Sequence, residues 1–357
     1  MKKFAGILIL CLAASGLYAA DADPAGKPPR DDARPIVEID GVTLTMSDFE
    51  AKRPGGLFQA RNNYYEAEKK AIDEFVNQWL LEREAAQQKT TPAELLDRQI
   101  KNAGFAPPSD ETLRVYYEGV DTTEPFENVR DKIIEAIRTR RIARTKKAYL
   151  ESLRNKAKIV LALDPPRAPI SLKTSAVRGL PDSPVNIVEF ADYECPYCQQ
   201  IQPVVEKLLK DYGGKVAFAF KDFPLPMHTH AQKAAEAARC AGAQGKYWAY
   251  HDALFANHQY DVAKLKGIAS DLKLDVGLFD TCLDSGTQGA AVQADFDEAQ
   301  VLGLPGTPAF FVNGRLINPN GTVSYDILRQ LVDEELALSK SPARQVATTA
   351  STAQDKK

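Results

Sequence analysis

The second half of the chain alternates between two kinds of apolar pattern. Short continuous apolar runs, typical of buried strands, alternate with longer stretches in which apolar residues recur at the helical period. The dipeptide Asn313-Gly314 favours a tight hairpin turn near the end. This order predicts an α/β fold with a helical insertion. The predicted elements are strands at 185–191, 216–220, 309–312 and 315–317, a helix after the first strand, a helical section at about 231–302 and a final helix at about 324–336.

The first half has the pattern of a hairpin followed by helices. Alternating apolar and polar residues around Asp40-Gly41 predict two short strands. Ser47, with Glu50 three residues later, has the spacing of a helix capping box. The predicted elements are a hairpin at 36–44, helices at about 63–88 (with Ile72, Phe75, Trp79 and Leu80 on one face), 91–103, 109–118 and 126–158, and a strand at 159–163 that pairs with 36–44.

A chain of 357 residues is long for one domain and predicts two. Stretches rich in proline and small polar residues, without apolar periodicity, mark the boundaries. The predicted organisation is a signal peptide at 1–20, a linker at 21–35, a mainly helical domain at 36–163, a Pro-rich linker at 164–184, an α/β domain at 185–337 and a disordered tail at 338–357.

The first twenty residues have the pattern of a secretory signal. Two lysines precede an apolar run that ends near Leu17, and the small pair Ala19-Ala20 follows. The run is short for a membrane anchor, and Cys11 within it lacks the small residues that precede a lipidated cysteine. We therefore expect an exported protein, periplasmic or otherwise extracytoplasmic, whose mature chain keeps four cysteines in an oxidising compartment. No later segment is long and apolar enough to span a bilayer.

Charge narrows the choice of partners. A net charge of −3 and a pI near 5.9 give no overall attraction to nucleic acid or to an anionic membrane. The predicted helix at 126–158 is locally basic. Such a run is typical of a solvated helix face, although an acidic partner or phosphate groups also fit it.

Cys195 and Cys198 form a Cys-Pro-Tyr-Cys sequence between the first strand and the first helix of the α/β half. Cys195 is thereby placed at a helix N-terminus, where free backbone N–H groups and the helix dipole favour the thiolate. Half of a zinc site or a structural staple has the same spacing. Because a zinc site needs a second pair nearby, and Cys240 and Cys282 stand far apart, we interpret the pair as redox-active.

Several separated motifs within 189–336 resemble the DsbA-like thiol:disulfide oxidoreductases of the bacterial envelope, including the BdbD type. The resemblance rests on E-F-A-D-Y-E-C-P-Y-C-Q-Q-I-Q-P at 189–203 and on Thr307-Pro308. It implies a thioredoxin fold and an enzyme that exchanges disulfides with reduced or unfolded client proteins. It also implies that no cofactor is needed beyond the protein's own disulfide, and that a membrane or envelope partner recycles the active site.

The resemblance assigns catalytic roles. It implies that Cys195 is the nucleophile and Cys198 the resolving thiol, and that Glu189 is the buried acid behind them. A buried carboxyl resists ionisation, so we expect Glu189 to relay a proton to or from Cys198. Lys221 is one candidate to balance its charge, and an outward-facing strand residue is the alternative for that lysine.

The resemblance also places residues against a bound client. Thr307 and Pro308 match the cis-proline loop, where a missing N–H leaves the Thr307 backbone open to strand-like pairing. Pro196 and Tyr197 complete the client-facing set. Because this dipeptide departs from the Pro-His of the best-known oxidase, the preferred direction of the redox reaction stays open.

Two further cysteines and a pair of histidines lie within the predicted α/β domain. Cys240 and Cys282 are predicted to form a structural disulfide within the insertion, since free thiols seldom persist in an oxidising compartment, and two separately buried thiols are the alternative. His228 and His230 form an H-x-H without evident acidic or thiol partners in the sequence, so we expect no metal there and place both in a loop beside the active site.

Residues 36–163 resemble the chaperone domain of SurA-type periplasmic foldases, without room for a parvulin domain. The resemblance rests on V-E-I-D-G-V-T-L-T-M-S-D-F-E, A-I-D-E-F-V-N-Q-W-L-L-E-R-E-A and P-F-E-N-V-R-D-K-I-I-E-A-I-R. It implies a helical module that binds unfolded chains or partner proteins. A helical dimerisation or spacer module is the alternative, so an oligomer formed through this domain stays open.

Three functions remain open from the sequence. The sequence favours the first, an exported thiol:disulfide oxidoreductase that oxidises client thiols through a mixed disulfide on Cys195, and the other two are alternatives. The second is a reductase or isomerase that uses the helical domain as a client-binding or dimerisation arm. The third is a holdase chaperone with an accessory redox domain.

Overall fold

The computed structural model describes residues 33–119, 121–173, 175–180, 182–317 and 323–339. Contacts divide the chain into one unit that ends at Gly56 and a second that begins at Leu57. The predicted signal peptide, most of the linker at 21–35 and almost all of the tail at 338–357 lie outside the described residues. Within those ranges, no helix combines the length and the apolar character needed to cross a membrane.

The first unit contains the predicted hairpin. Strands β1 (Pro35–Ile39) and β2 (Val42–Thr45) pair antiparallel. Asp40 and Gly41 both have positive φ, 51° and 77°, as a tight hairpin turn requires. Helix α1 (Met46–Lys52) follows, but the predicted Ser47–Glu50 capping box is wrong. The helix begins directly after β2, so Thr45 caps it with Asp48, and Ser47 already lies within the first turn.

Four helices begin the second unit, close to the predicted positions. They are α2 (Phe58–Gln87), α3 (Pro92–Ala103), α4 (Asp110–Glu118) and α5 (Phe126–Asn155). Thr91 and Ser109 cap α3 and α4 through their hydroxyl groups. One apolar cluster joins α2, α3 and α5, and a second joins α4 to the first turns of α5.

Two predictions for this region are wrong. Phe75 and Trp79 lie on the outside of α2, with 67% and 50% of their surface exposed, whereas Leu80 and Leu81 face the core. Residues 159–163 form no strand, and the described hairpin strands pair only with each other. An apolar run forms a strand only where the edge of another strand is available to pair with it. The periodicity of the sequence does not reveal such an edge.

The predicted α/β fold with a helical insertion is confirmed. Its five-stranded sheet has the order β3-β5-β4-β6-β7, with β4 parallel to β5 and antiparallel to β6. The short strand β3, which the sequence did not indicate, pairs with β5. The elements are β3 (Val177–Arg178), β4 (Val185–Ala191), α6 (Pro196–Tyr212), β5 (Val216–Asp222), β6 (Ala309–Val312), β7 (Arg315–Leu316) and α12 (Tyr325–Ser339).

The insertion between β5 and β6 consists of five helices. They are α7 (Ala231–Gly242), α8 (Tyr247–Asn257), α9 (Val262–Asp271), α10 (Val276–Ser285) and α11 (Gly289–Val301). A disulfide joins Cys240 of α7 to Cys282 of α10, with 5.9 Å between their Cα atoms. The buried residues of α7 are mainly alanines, and most of them belong to the main apolar core.

A buried ionic cluster fastens the insertion to the sheet. Lys221 on β5 contacts Asp295 on α11 at 2.8 Å and Glu298 at 2.6 Å. Arg239 on α7 pairs with Asp222 and with Asp295. Buried charges are tolerated when they are paired in this way, and breaking such a pair is costly.

The segment predicted to be a linker at 164–184 lies against the sheet. Ala168 donates its N–H to the Gly314 carbonyl at 2.8 Å, and Arg167 forms a bidentate ion pair with Glu335 on α12. The first turn of α2 reaches the same side, where Phe58 packs against Phe311 with ring centroids 5.8 Å apart. The helices and the sheet therefore share a core on this side.

Replacing both Cys240 and Cys282 by alanine should lower the free energy of unfolding. The bond spans 42 residues, and closure of a loop of that length contributes about 4 kcal/mol in the chain-entropy account. Urea unfolding of the double variant and the parent protein measures the difference. A loss below about 1 kcal/mol would mean that the apolar core alone holds the insertion, because most of the expected loop-closure contribution would be absent.

Candidate active site

The end of β4 and the start of α6 position the first thiol. β4 ends at Ala191, and Asp192 then forms a turn in which its carbonyl accepts the N–H of Cys195 at 3.1 Å. Cys195 is the N-cap of α6, with extended backbone angles, and Pro196 occupies the first helical position. Proline fits there because its nitrogen carries no hydrogen to leave unpaired. The sequence pattern therefore placed Cys195 correctly at the helix N-terminus.

The two thiols differ in their environments. Both cysteines are reduced and buried, with 4% of Cys195 and none of Cys198 exposed. A hydrogen bond from Cys198 is the main cause that lowers the pKa of Cys195 to about 5, against the opposing effect of burial, and the helix-start N–H groups of Cys198 and Tyr197 add to it. Burial raises the pKa of Cys198 well above its usual value. Cys195 is thus a thiolate at neutral pH and Cys198 a thiol.

Glu189 lies behind the thiols, fully buried on β4. Burial raises its pKa to about 8, and the charge of Cys195 adds to the rise, although a hydrogen bond from Gln202 opposes it. The Gln202 amide donates to Glu189 at 3.3 Å and to the Cys198 carbonyl at 3.2 Å. Sequence reasoning missed Gln202, which lies one helical turn after Cys198 and on the same face.

Lys221 does not balance Glu189, and it is not an outward-facing residue either. Glu189 is the neighbour of Phe220 across β4 and β5, while Lys221 is the neighbour of Phe190. Because successive strand residues point to opposite faces, Lys221 lies on the other side of the sheet. There it is almost completely buried and pairs with Asp295 and Glu298.

The Thr307-Pro308 segment faces Cys195. The peptide bond between the two residues is cis. Cys195 Sγ lies 3.5 Å from the Thr307 carbonyl oxygen, within range of a weak hydrogen bond. β6 begins at Ala309, which pairs with Phe190 on β4, so the sheet register brings this loop to the same end as the cysteines.

Both residues between the cysteines are exposed. Tyr197 is 69% exposed, so its ring projects from the protein beside the thiols. Pro196 is also exposed at the helix start. Pro203 lies inside α6, where proline removes a backbone hydrogen bond and typically bends a helix.

Two acidic residues of the turn before Cys195 contact the two histidines of the loop at 223–230, which is called the histidine loop below. His228 Nδ1 lies 2.7 Å from Asp192 Oδ2, and His230 Nδ1 lies 3.0 Å from Glu194 Oε1. The expectation that these histidines lack acidic partners is therefore wrong, because the partners come from a distant part of the chain. Among the described residues, no group of three or more His, Cys, Asp and Glu side chains is arranged to hold a metal ion.

This arrangement is suited to thiol–disulfide exchange. It combines a thiolate at the surface end of a helix with a thiol buried behind it and a protonatable carboxyl near that thiol. The thiolate is the attacking form, and the second thiol is close enough to form a disulfide with it.

Comparison with known families agrees with the fold. Residues 171–334 match the sequence model of a family described as thioredoxin. The second half of the chain therefore has a thioredoxin-like fold with a helical insertion.

Curated relatives match part of the chain. The chain is 41% identical over 150 residues to Na(+)/H(+) antiporter NhaA 1 of Salinispora arenicola, which covers 41% of this chain and 23% of that protein. It is 39% identical over 176 residues to NhaA 3 of Salinispora tropica, which covers 48% of this chain and 26% of that protein. The chain thus spans about a quarter of the length of these curated relatives.

Solved structures are similar over about half of the chain. A thioredoxin-like oxidoreductase from Silicibacter pomeroyi is 31% identical with a TM-score of 0.42, covering 45% of this chain and 92% of that one. Oxidised BdbD from Bacillus subtilis is 27% identical with a TM-score of 0.45, covering 49% of this chain and 100% of that one.

Titration of the reduced protein should separate the two thiols. The ultraviolet absorbance of the thiolate should report a pKa of about 5 for Cys195. At about pH 6, where an ordinary cysteine is protonated, iodoacetamide should modify Cys195 and spare Cys198. Peptide mapping identifies the modified residue, and Cys195→Ser is the control that removes the signal. Modification of both residues at equal rates would contradict the assignment.

Proposed function

We propose that this protein is an exported thiol:disulfide oxidoreductase that exchanges disulfides with client proteins through a mixed disulfide on Cys195. The observation that carries the proposal is the unequal pair of thiols beside Thr307-Pro308. Cys195 is placed to be attacked and to leave as a stable thiolate, while Cys198 is withdrawn from solvent.

The proposed cycle has two displacement steps. A client thiolate attacks Cys195 of the oxidised protein, the bond between Cys195 and Cys198 breaks, and Cys198 leaves with the electron pair. Cys198 then takes a proton, for which the protonated Glu189 carboxyl is the nearby donor. A second client thiolate attacks the client sulfur of the mixed disulfide, and Cys195 leaves as a thiolate. The client dithiol has lost two electrons, and the protein has gained them.

The low pKa of Cys195 favours the oxidase direction. Stabilising the thiolate lowers the free energy of the reduced protein relative to its disulfide, which makes the disulfide a stronger oxidant. A reductase needs the opposite balance. An extracytoplasmic compartment fits the same direction, and a membrane or envelope partner would then restore the Cys195–Cys198 disulfide.

The helical region is proposed to bind unfolded clients. Tyr64, Phe75 and Trp79 are exposed along α2, and Val115 and Tyr116 are exposed on α4. Contiguous exposed apolar surfaces commonly mark sites that bind other proteins. This observation also favours a second candidate function, a holdase chaperone with an accessory redox domain.

The oxidised protein should convert a reduced dithiol peptide to its disulfide form, with one peptide oxidised for each protein molecule reduced. The Cys198→Ala variant should instead accumulate a mixed disulfide with a client peptide that carries an activated disulfide, because the resolving thiol is absent. Mass spectrometry identifies the bonded cysteine. Cys195→Ser should give neither product, and mixed disulfide formation by that variant would refute the role of Cys195.

Glu189→Gln should slow the release of Cys198. Glu189 is protonated below its pKa of about 8, so it supplies a proton to the leaving thiolate at neutral pH and loses that ability as pH rises through about 8. Glutamine carries no such proton, so the rate of peptide oxidation at neutral pH should fall about tenfold or more. Stopped-flow fluorescence against pH measures the rate.

Glu206→Gln is the matched control, because Glu206 is an exposed acid on α6, the helix that carries Cys198. Its rate should equal that of the parent protein. Equal rates for Glu189→Gln and Glu206→Gln across the pH range would remove Glu189 from the mechanism.

A further inference from the structure

The loop at 223–230, between β5 and α7, is tied to the turn that precedes Cys195. The turn residues accept backbone N–H groups from both ends of this loop, so the loop has a fixed position beside the active site. The bonds are Phe223 N–H to the Ala191 carbonyl at 2.8 Å, Leu225 N–H to Asp192 Oδ2 at 2.7 Å, and His230 N–H to Glu194 Oε2 at 2.7 Å.

Asp192 connects this loop to the cysteine. Its buried carboxylate bonds His228 Nδ1 at 2.7 Å through Oδ2 and accepts the Glu194 N–H at 2.8 Å through Oδ1. The Asp192 carbonyl accepts the N–H of Cys195 at 3.1 Å. One buried residue therefore holds both the imidazole of His228 and the backbone of the nucleophile.

The charge of His228 reaches Cys195. Burial lowers the pKa of His228, but the hydrogen bond and charge of Asp192 and the negative charges of Cys195 and Glu194 raise it further than burial lowers it. The net effect favours the imidazolium. His228 is 20% exposed, compared with 50% for His230, so water screens its charge less.

We infer that the His228–Asp192 pair is a positioning device that holds a cation beside Cys195 and stabilises its thiolate as the leaving group. This inference rests on the proposed exchange at Cys195. In the step concerned, a client thiolate attacks the client sulfur of the mixed disulfide, and the bond to Cys195 breaks with its electron pair remaining on Cys195. No proton is transferred in this step, and the positive charge of the imidazolium stabilises the negative charge that develops on Cys195.

The other groups around Cys195 do not replace this cation. Glu189 and Cys198 are largely neutral at neutral pH and carry no positive charge. Without the imidazolium, the buried Asp192 carboxylate would keep only neutral partners, the N–H groups of Leu225 and Glu194. The remaining titratable groups nearby are Glu194 in the turn, His230 in the loop and Tyr260 after α8, which contacts Gln199 of α6.

His228→Gln removes the charge and keeps a polar side chain in the loop. The pKa of Cys195, measured by thiolate absorbance, should rise by about one unit. The equilibrium constant with glutathione should shift about tenfold against the reduced protein, because one pKa unit corresponds to a factor of ten. His230→Gln, the neighbouring control, should stay within about twofold of the parent, since that side chain is more exposed. His228→Lys, which restores a positive charge, should recover most of the loss.

The coupling can also be measured from the histidine, without altering it. By linkage, if His228 stabilises the Cys195 thiolate, the thiolate stabilises the His228 imidazolium by the same free energy. An NMR titration should therefore show a lower pKa for His228 in reduced Cys195→Ser than in the reduced parent protein. This measurement decides the matter if His228→Gln does not fold.

The outcomes separate this inference from the proposed function. If the parent protein exchanges disulfides but His228→Gln matches His230→Gln in thiol pKa and equilibrium constant, the inference is wrong. A His228 titration that is the same in Cys195→Ser and the parent protein also overturns it. If the parent protein does not exchange disulfides, the proposed function fails, and the two titrations still decide whether the charges are coupled.

Discussion

The position of β4 in the middle of the sheet is the constraint on which the site depends. β4 is bonded along its full length to β5 and along its second half to β6. Residues that leave β4 at Ala191 therefore emerge between the loop that follows β5 and the loop that precedes β6. For this reason Cys195 contacts Thr307 on one side, while Asp192 in the preceding turn contacts His228 of the histidine loop on the other. A different register would separate these groups even if every local element formed.

Burial then gives the two cysteines opposite chemistry. Only two residues separate them, yet the N-terminal end of α6 stabilises a thiolate at Cys195. Burial in the apolar core disfavours the thiolate at Cys198. Glu189 stays largely protonated for the same reason as Cys198. The site therefore keeps Glu189 and Cys198 protonated in the interior and keeps Cys195 negatively charged at the start of the helix.

Local features were predictable from the sequence, and features that depend on register or on distant contacts were not. The strand-to-helix step at Cys195 is visible in the apolar pattern and in Pro196. The predicted pairing of Lys221 with Glu189 was wrong because the two side chains point to opposite faces of the sheet. Only the observed strand register shows this. Asp192 and Glu194 stand beside the cysteine motif, but their histidine partners lie more than thirty residues away. The exposed Phe75 and Trp79 follow a helical period that is equally compatible with a buried face.

Helix α2 links the apolar cluster beside the sheet to the core of the helical region. One end, at Phe58, packs into the apolar cluster beside the sheet, and the other, around Leu80 and Leu81, packs among α3 and α5. Its 30 residues form a rod about 45 Å long. A flexible tether would set only an average concentration of bound client near the thiols, whereas a rod sets a distance. If clients bind the outer face of α2, as proposed, the rigid helix would fix the distance between the bound client and the active site.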